Sequence, residues 1–106
     1  IMSLDIYLVR PMSDHVGNVT HNLNKMAMEA GIYQHLWRPE EIGITHARQL
    51  IGPLRTAIRD MLARPDHYRQ FNPANGWGDY EGFIAFCRRV ADACEEYPNA
   101  VIEVDR

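Results

Sequence analysis

The chain is predicted to adopt an α+β fold, with N- and C-terminal strands paired in a small antiparallel sheet and three main helices packed on one face. Three observations carry that prediction. Leu4, Ile6 and Leu8 alternate with Asp5, Tyr7 and Val9, the period-two pattern of a strand with one strongly apolar face. Three intervening segments repeat apolar residues at helical spacing. Residues 100–104 then return to alternation, with Val101 set against Ile102 and Val104. The 106 residues, 46% hydrophobic and 24% charged, suffice for one ordinary globular core, so residues 1–106 are read as a single domain.

Strand one covers roughly residues 3–9 and ends at Arg10-Pro11, after which Met12 to Gly17 reads as a polar loop. A helix starts near Asn18 or Thr20, both good capping residues, and buries Leu23, Met26, Ala27 and Ala30. Gly31 suits its C-terminal turn, and residues 32–37 form a further short turn of helix. Pro39-Glu40-Glu41 fits a brief helical start, cut short by Gly43. Thr45 is the expected cap of the next helix, whose apolar face runs from Ala47 through Leu50, Leu54, Ile58 and Met61 to Arg64-Pro65. Pro53 lacks a backbone donor and crowds the carbonyl of Gln49, so a kink or a break and restart is expected at Gly52-Pro53. Residues 66–71 read as a short helical turn. Asp79 caps the last helix, in which Phe83, Phe86, Cys87, Val90, Ala91 and Cys94 face inward until Pro98-Asn99. Two strands alone make a marginal sheet. Either an edge pairs with a second copy, giving a four-stranded sheet across a homodimer, or a strand from residues 12–18 widens it; the dimer is favoured.

Net charge of −3, with no block of either sign, argues against a nucleic-acid surface. Cys87 and Cys94 lie seven residues apart on one helix, about 10 Å by helical rise, which exceeds disulfide reach; they read as core thiols of a reducing compartment. The first residues lack a basic n-region and no apolar run approaches about 20 residues, so a cytoplasmic location and no membrane partner are expected. The five histidines show neither i, i+4 pairing nor tight Cys/His spacing, and no metal or cofactor is expected. Neither serine sits in a nucleophile elbow, and neither a phosphate loop nor a dinucleotide fingerprint occurs.

The most unusual stretch is residues 71–82, Phe-Asn-Pro-Ala-Asn-Gly-Trp-Gly-Asp-Tyr-Glu-Gly, in which Gly76 and Gly78 flank Trp77. Glycine permits positive φ and Pro73 fixes φ, so a shaped loop is expected, with Trp77 either closing the core or forming a contact surface. Polar residues also collect at Asn18-Val-Thr-His-Asn22 and at Leu36-Trp-Arg-Pro-Glu-Glu41. The candidate ligand-binding residues are therefore Asn18, Thr20, His21, Asn22, Trp37, Arg38, Asn75, Trp77, Tyr80 and Glu81. Trp77 with Tyr80 could stack a planar group such as a nucleobase, and Trp37 with Arg38 could add a second aromatic and a cation. Capping and core closure are the plainer roles for these residues. The loop is expected to approach the start of helix one if the helices fold back over the terminal strands.

On Met2-Ser-Leu-Asp-Ile-Tyr-Leu8, Asn18-Val-Thr-His-Asn-Leu23, Ala30-Gly-Ile-Tyr33, Leu36-Trp-Arg-Pro-Glu-Glu41, Asn75-Gly-Trp-Gly78 with Tyr80, and the strand ending in Arg106, the chain resembles a family of small proteins encoded by tailed bacteriophages and prophages. The resemblance spans almost the whole chain and carries no catalytic residues with it. It implies a phage accessory protein acting in bacterial cytoplasm. The leading expectation is a non-enzymatic protein that binds a small ligand, such as a nucleotide, or a host protein, in the manner of a counter-defence factor. The alternatives are a small hydrolase or nucleotide-processing enzyme using His21 with Glu40 or Glu81, and a structural or assembly component of the virion.

Overall fold

Strand β1, Ser3–Val9, places Leu4, Ile6 and Leu8 in the core with at most 1% exposure and leaves Ser3, Asp5, Tyr7 and Val9 on the opposite face. The computed structural model describes residues 3–9 and 13–106; the expected strand end at Arg10-Pro11 lies outside the described residues. β1 is the centre of a three-stranded antiparallel sheet of order β2-β1-β3. β3, Val101–Asp105, pairs with it from Asp5 opposite Asp105 to Val9 opposite Val101, so the first and last described strands meet in one sheet. The fold class is thus α+β.

The third strand comes from the chain itself. β2, Ser13–Thr20, is the widening strand that was the alternative to a second copy, formed by the segment otherwise expected to be a loop, and it corrects the reading of Asn18 as a helix start: Asn18 is paired with Asp5. The register passes from Ile6 opposite Gly17 to Tyr7 opposite His15, which leaves Val16 as the extra residue of a bulge. Gly17 lies beneath helix α5, Tyr80–Glu96, where a Cβ would stand 3.2 Å from the Phe86 ring. Its missing side chain lets the helix settle on the sheet.

A 3-10 turn, His21–Leu23, leads from β2 into α1, Asn24–Glu29, so the first helical segment is shorter than expected. Thr20 caps it, its hydroxyl accepting from the Asn22 N–H at 3.3 Å. α2, Tyr33–Trp37, and a 3-10 turn, Pro39–Ile42, follow as anticipated. α3, Arg48–Ala63, begins after Ala47, and Thr45 does not cap it. The Gln49 carboxamide instead folds back to accept from the N–H groups of Thr45 at 2.8 Å and His46 at 2.9 Å, while the Ala47 and Arg48 N–H groups donate to the carbonyls of Ala100 and Pro98. The start of α3 is therefore tied to the segment entering β3.

α3 also runs unbroken through Pro53, where two pieces were an expected outcome. Proline in a helix costs about 3 kcal/mol. Leu50, Leu54, Ala57, Ile58 and Met61 are all buried on this one helix, and each large side chain contributes about 1.5–3 kcal/mol, so burial of the whole stripe outweighs one lost hydrogen bond. α4, Pro65–Arg69, is a single short turn. α5 is capped by Asp79, whose carboxylate accepts from the Gly82 N–H at 2.7 Å, and it buries Phe83, Phe86, Cys87, Val90, Ala91 and Cys94 as the periodicity predicts. Its first residue, Tyr80, donates its hydroxyl to the Met61 carbonyl at 2.6 Å, satisfying an acceptor in the last turn of α3. Arg55 pairs with Asp92 at 2.6 Å and with Glu95, joining the same two helices on their outer side.

Candidate functional site

The 71–82 loop does reach the start of helix one. Gly78, at φ +97°, lies so close that a Cβ there would stand 2.7 Å from Thr20 Cγ2 and 3.0 Å from the Leu23 side chain. Asn72 and Asn75 hold the loop in shape, the first accepting from the Tyr80 N–H at 2.8 Å and the second from the Trp77 N–H at 2.9 Å. Between the loop and α1 lies a groove of about 800 Å³, lined by His21, Asn22, Asn24 and Lys25 on one side and by residues 70–75 on the other. Its volume is within the range of small-molecule sites.

The groove is rich in carboxamides, contributed by Asn22, Asn24, Gln70, Asn72 and Asn75. A backbone N–H can only donate, so the oxygens of Asn72 and Asn75 are the atoms engaged, and their NH₂ groups have no partner among the described residues. Lys25 supplies a cation, half-buried Phe71 an apolar wall, and among the described residues no carboxylate lines the groove. His21 stands at one end with its Nε2 sealed from solvent and without a hydrogen-bond partner. Its ring lies 6.2 Å from that of Trp37.

Beyond His21 opens a second hollow of about 360 Å³, lined by His21, Asn24, Tyr33, Trp37, Arg38 and Arg106. Tyr33 and Trp37 stack there with centroids 5.4 Å apart and planes inclined by 16°. Arg106 donates to both oxygens of Glu40, at 3.2 and 2.9 Å, and to the Trp37 carbonyl at 2.9 Å. Arg38 makes a long contact to Glu41, at 3.4 Å, and an interaction with Tyr33 raises its pKa.

The other expected residues fall elsewhere. Asn18 is on the open face of the sheet, donating to Ser3 at 3.0 Å and to Asp5 at 2.9 Å; that bond, with the one from His15, holds the Asp5 carboxyl below its ordinary pKa. Tyr80 is buried with its hydroxyl committed, so it is unavailable for stacking a ligand. Trp77 is 66% exposed and is no core plug, yet it lines neither hollow. Trp37 is buried at 3% exposure, closing the core with one edge on the second hollow. Thr20 shapes the turn from outside the groove lining.

Glu81 pairs with Arg69 at 2.8 Å, and Arg69 lies 4.9 Å over the Tyr80 ring. Hydrogen bonds from Arg69 and Arg106 lower the pKa values of Glu81 and Glu40 respectively, and neither carboxylate lines a hollow with His21. Burial pushes the Cys87 thiol well above its ordinary range and that of Cys94 up to about 12, which leaves both as poor nucleophiles. Among the described residues no three of His, Cys, Asp and Glu assemble to hold a metal ion, and no helix is long and apolar enough to cross a membrane.

Asn24, Lys25, Gln70 and Asn72 were not singled out by sequence reasoning. Each looks like an ordinary surface residue in its own segment. The available signals were the position of the only lysine one turn after His21 and the polar density of residues 70–75. No protein-family model, curated protein or solved structure matches the chain.

Proposed function

We propose that this is a non-enzymatic phage or prophage accessory protein, acting in the bacterial cytoplasm, that binds a nucleotide in the groove between residues 21–25 and 70–75. The observation carrying this reading is the lining itself: five carboxamides and Lys25, with no carboxylate among the described residues. The Asn24 and Gln70 carboxamides, which make no hydrogen bond among the described residues, offer the paired donor and acceptor that nucleobase edges require. The NH₂ groups left over at Asn72 and Asn75, together with the lysine, favour an acceptor-rich anion such as a phosphate. A hydrolytic reading on His21 with Glu40 or Glu81 gains no support from carboxylates tied to arginines outside the groove.

A ligand that binds only the native state raises its stability by RT ln(1 + [L]/Kd), about 2.7 kcal/mol at a hundredfold excess over Kd. For a chain of this length that raises Tm by roughly 10 °C or more. Melting the protein with a panel of mononucleotides should give such a shift for at least one nucleoside, and Lys25→Ala should reduce it. Unchanged melting across the panel would refute nucleotide binding.

The exposure of Trp77 favours a second reading, contact with a host protein, because a protruding tryptophan is a typical anchor of protein interfaces.

A further inference from the structure

The two hollows share His21 and Asn24 as a common wall, and each carries basic residues: Lys25 in the groove, Arg38 and the Glu40-paired Arg106 beyond the wall. We infer that they are two lobes of one site, which takes a nucleotide bearing two phosphate groups held apart by the nucleoside. This rests on the nucleotide reading of the groove and specifies its ligand class.

Four features support it. A mononucleotide seated against the carboxamides and Lys25 leaves the second lobe unfilled, and that lobe has no carboxylate in its lining among the described residues. Arg38 interacts with Tyr33 and, at 3.4 Å, with Glu41; a guanidinium carries five N–H donors, so donors remain for a phosphate, the group whose geometry guanidinium favours. His21 stands in the wall with a sealed, unpartnered Nε2, and a buried polar atom left unpaired is unfavourable. A small rotation of the ring toward a ligand crossing the wall would give that nitrogen an acceptor. The stacked pair Tyr33 and Trp37 gives the second lobe an aromatic side next to Arg38.

The test is calorimetric titration with the 5′-monophosphate and the 3′,5′-bisphosphate of each of the four common ribonucleosides. A charge-assisted hydrogen bond is strong enough that the bisphosphate of the preferred nucleoside should bind about tenfold to hundredfold more tightly than its monophosphate. Arg38→Gln, a change at a partly exposed residue, should remove that advantage and leave the monophosphate affinity as it was. Arg106→Gln provides a second probe of the same lobe, with circular dichroism confirming that each variant folds. Equal affinity for both ligands, or equal loss of both on Arg38→Gln, would overturn the two-lobed site while the mononucleotide reading stands. Binding of neither ligand would overturn both.

Discussion

Gly78 is where loop shape and groove geometry meet, and replacing it separates two costs that are usually confounded. Gly76 and Gly78 both have positive φ, +77° and +97°, so alanine at either strains the backbone. That strain is about 1–2 kcal/mol, partly offset by about 0.4–1 kcal/mol because alanine reduces the freedom of the unfolded chain. At Gly76 nothing lies within 4 Å of the added carbon, so Gly76→Ala should cost about 1 kcal/mol or less. At Gly78 the new methyl would stand 2.7 Å from Thr20 Cγ2 and 3.0 Å from Leu23, well inside contact distance. Overpacking of this kind adds about 1–3 kcal/mol, giving about 2–4 kcal/mol in all for Gly78→Ala. Urea denaturation resolves the difference: with a slope of about 1–3 kcal/mol per molar, the two midpoints should differ by roughly 1 M. The clash is relieved by moving the loop off Thr20, which displaces Asn72 and Asn75, so nucleotide affinity should fall in Gly78→Ala and persist in Gly76→Ala. Equal destabilisation by the two substitutions, within about 0.5 kcal/mol, would refute the close apposition of loop and 3-10 turn.

Trp77→Ala should change stability by less than about 0.5 kcal/mol and leave nucleotide binding intact, since the ring is exposed and lines neither hollow. A loss above 1 kcal/mol in the same denaturation assay would show that the ring packs against the core after all. Burial lowers the pKa of His35 below its ordinary value of 6.5, and its Nδ1 lacks a hydrogen-bond partner. Just below pH 6.5 the unfolded chain therefore takes up a proton that the native state refuses, and stability falls as pH falls through that window. His35→Gln should flatten this dependence relative to the parent protein between pH 7.5 and 5.5; parallel curves would show that His35 is not desolvated.

The parts of the fold that were legible in the sequence are those where one physical pattern dominates a segment. β1 alternates strictly because one face is core and the other is open, and α5 keeps an uninterrupted apolar stripe from Phe83 to Cys94. β2 was obscured for identifiable reasons. Asp14, His15, Gly17 and Asn18 have the composition of a loop, and the bulge at Val16 breaks the period of two. With β2 in place the sheet has three strands from one chain, which removes the argument that an edge needed a second copy. Thr45 lost the capping role to Gln49 through a reversed side-chain contact that capping preferences do not anticipate.

The candidate site was half legible. His21 and Asn22 stood out as more polar than a helix start requires, Asn75 as part of a polar, glycine-rich loop, and the expectation that their segments meet follows from the strand pairing. Tyr80 looked like a partner for Trp77 because the two are near in sequence. Helix α5 begins at Tyr80, however, and turns its ring inward to the Met61 carbonyl while Trp77 stays on the loop outside. The contributions of Asn24, Lys25, Gln70 and Asn72 depend on which sides of α1 and the loop face one another, a tertiary fact with no local signature.

The proposal of a nucleotide-binding groove is tested most directly by following backbone and side-chain amide resonances in a ¹⁵N correlation spectrum while the nucleotide that gives the largest melting shift is added. Saturable shifts are expected at Asn22, Asn24, Lys25, Asn72 and Asn75, including the side-chain NH₂ groups of Asn72 and Asn75, with β3 unmoved. A spectrum unchanged at millimolar ligand, or shifts confined to the open face around Asp5, His15 and Asn18, would contradict the assignment of the groove as the binding site.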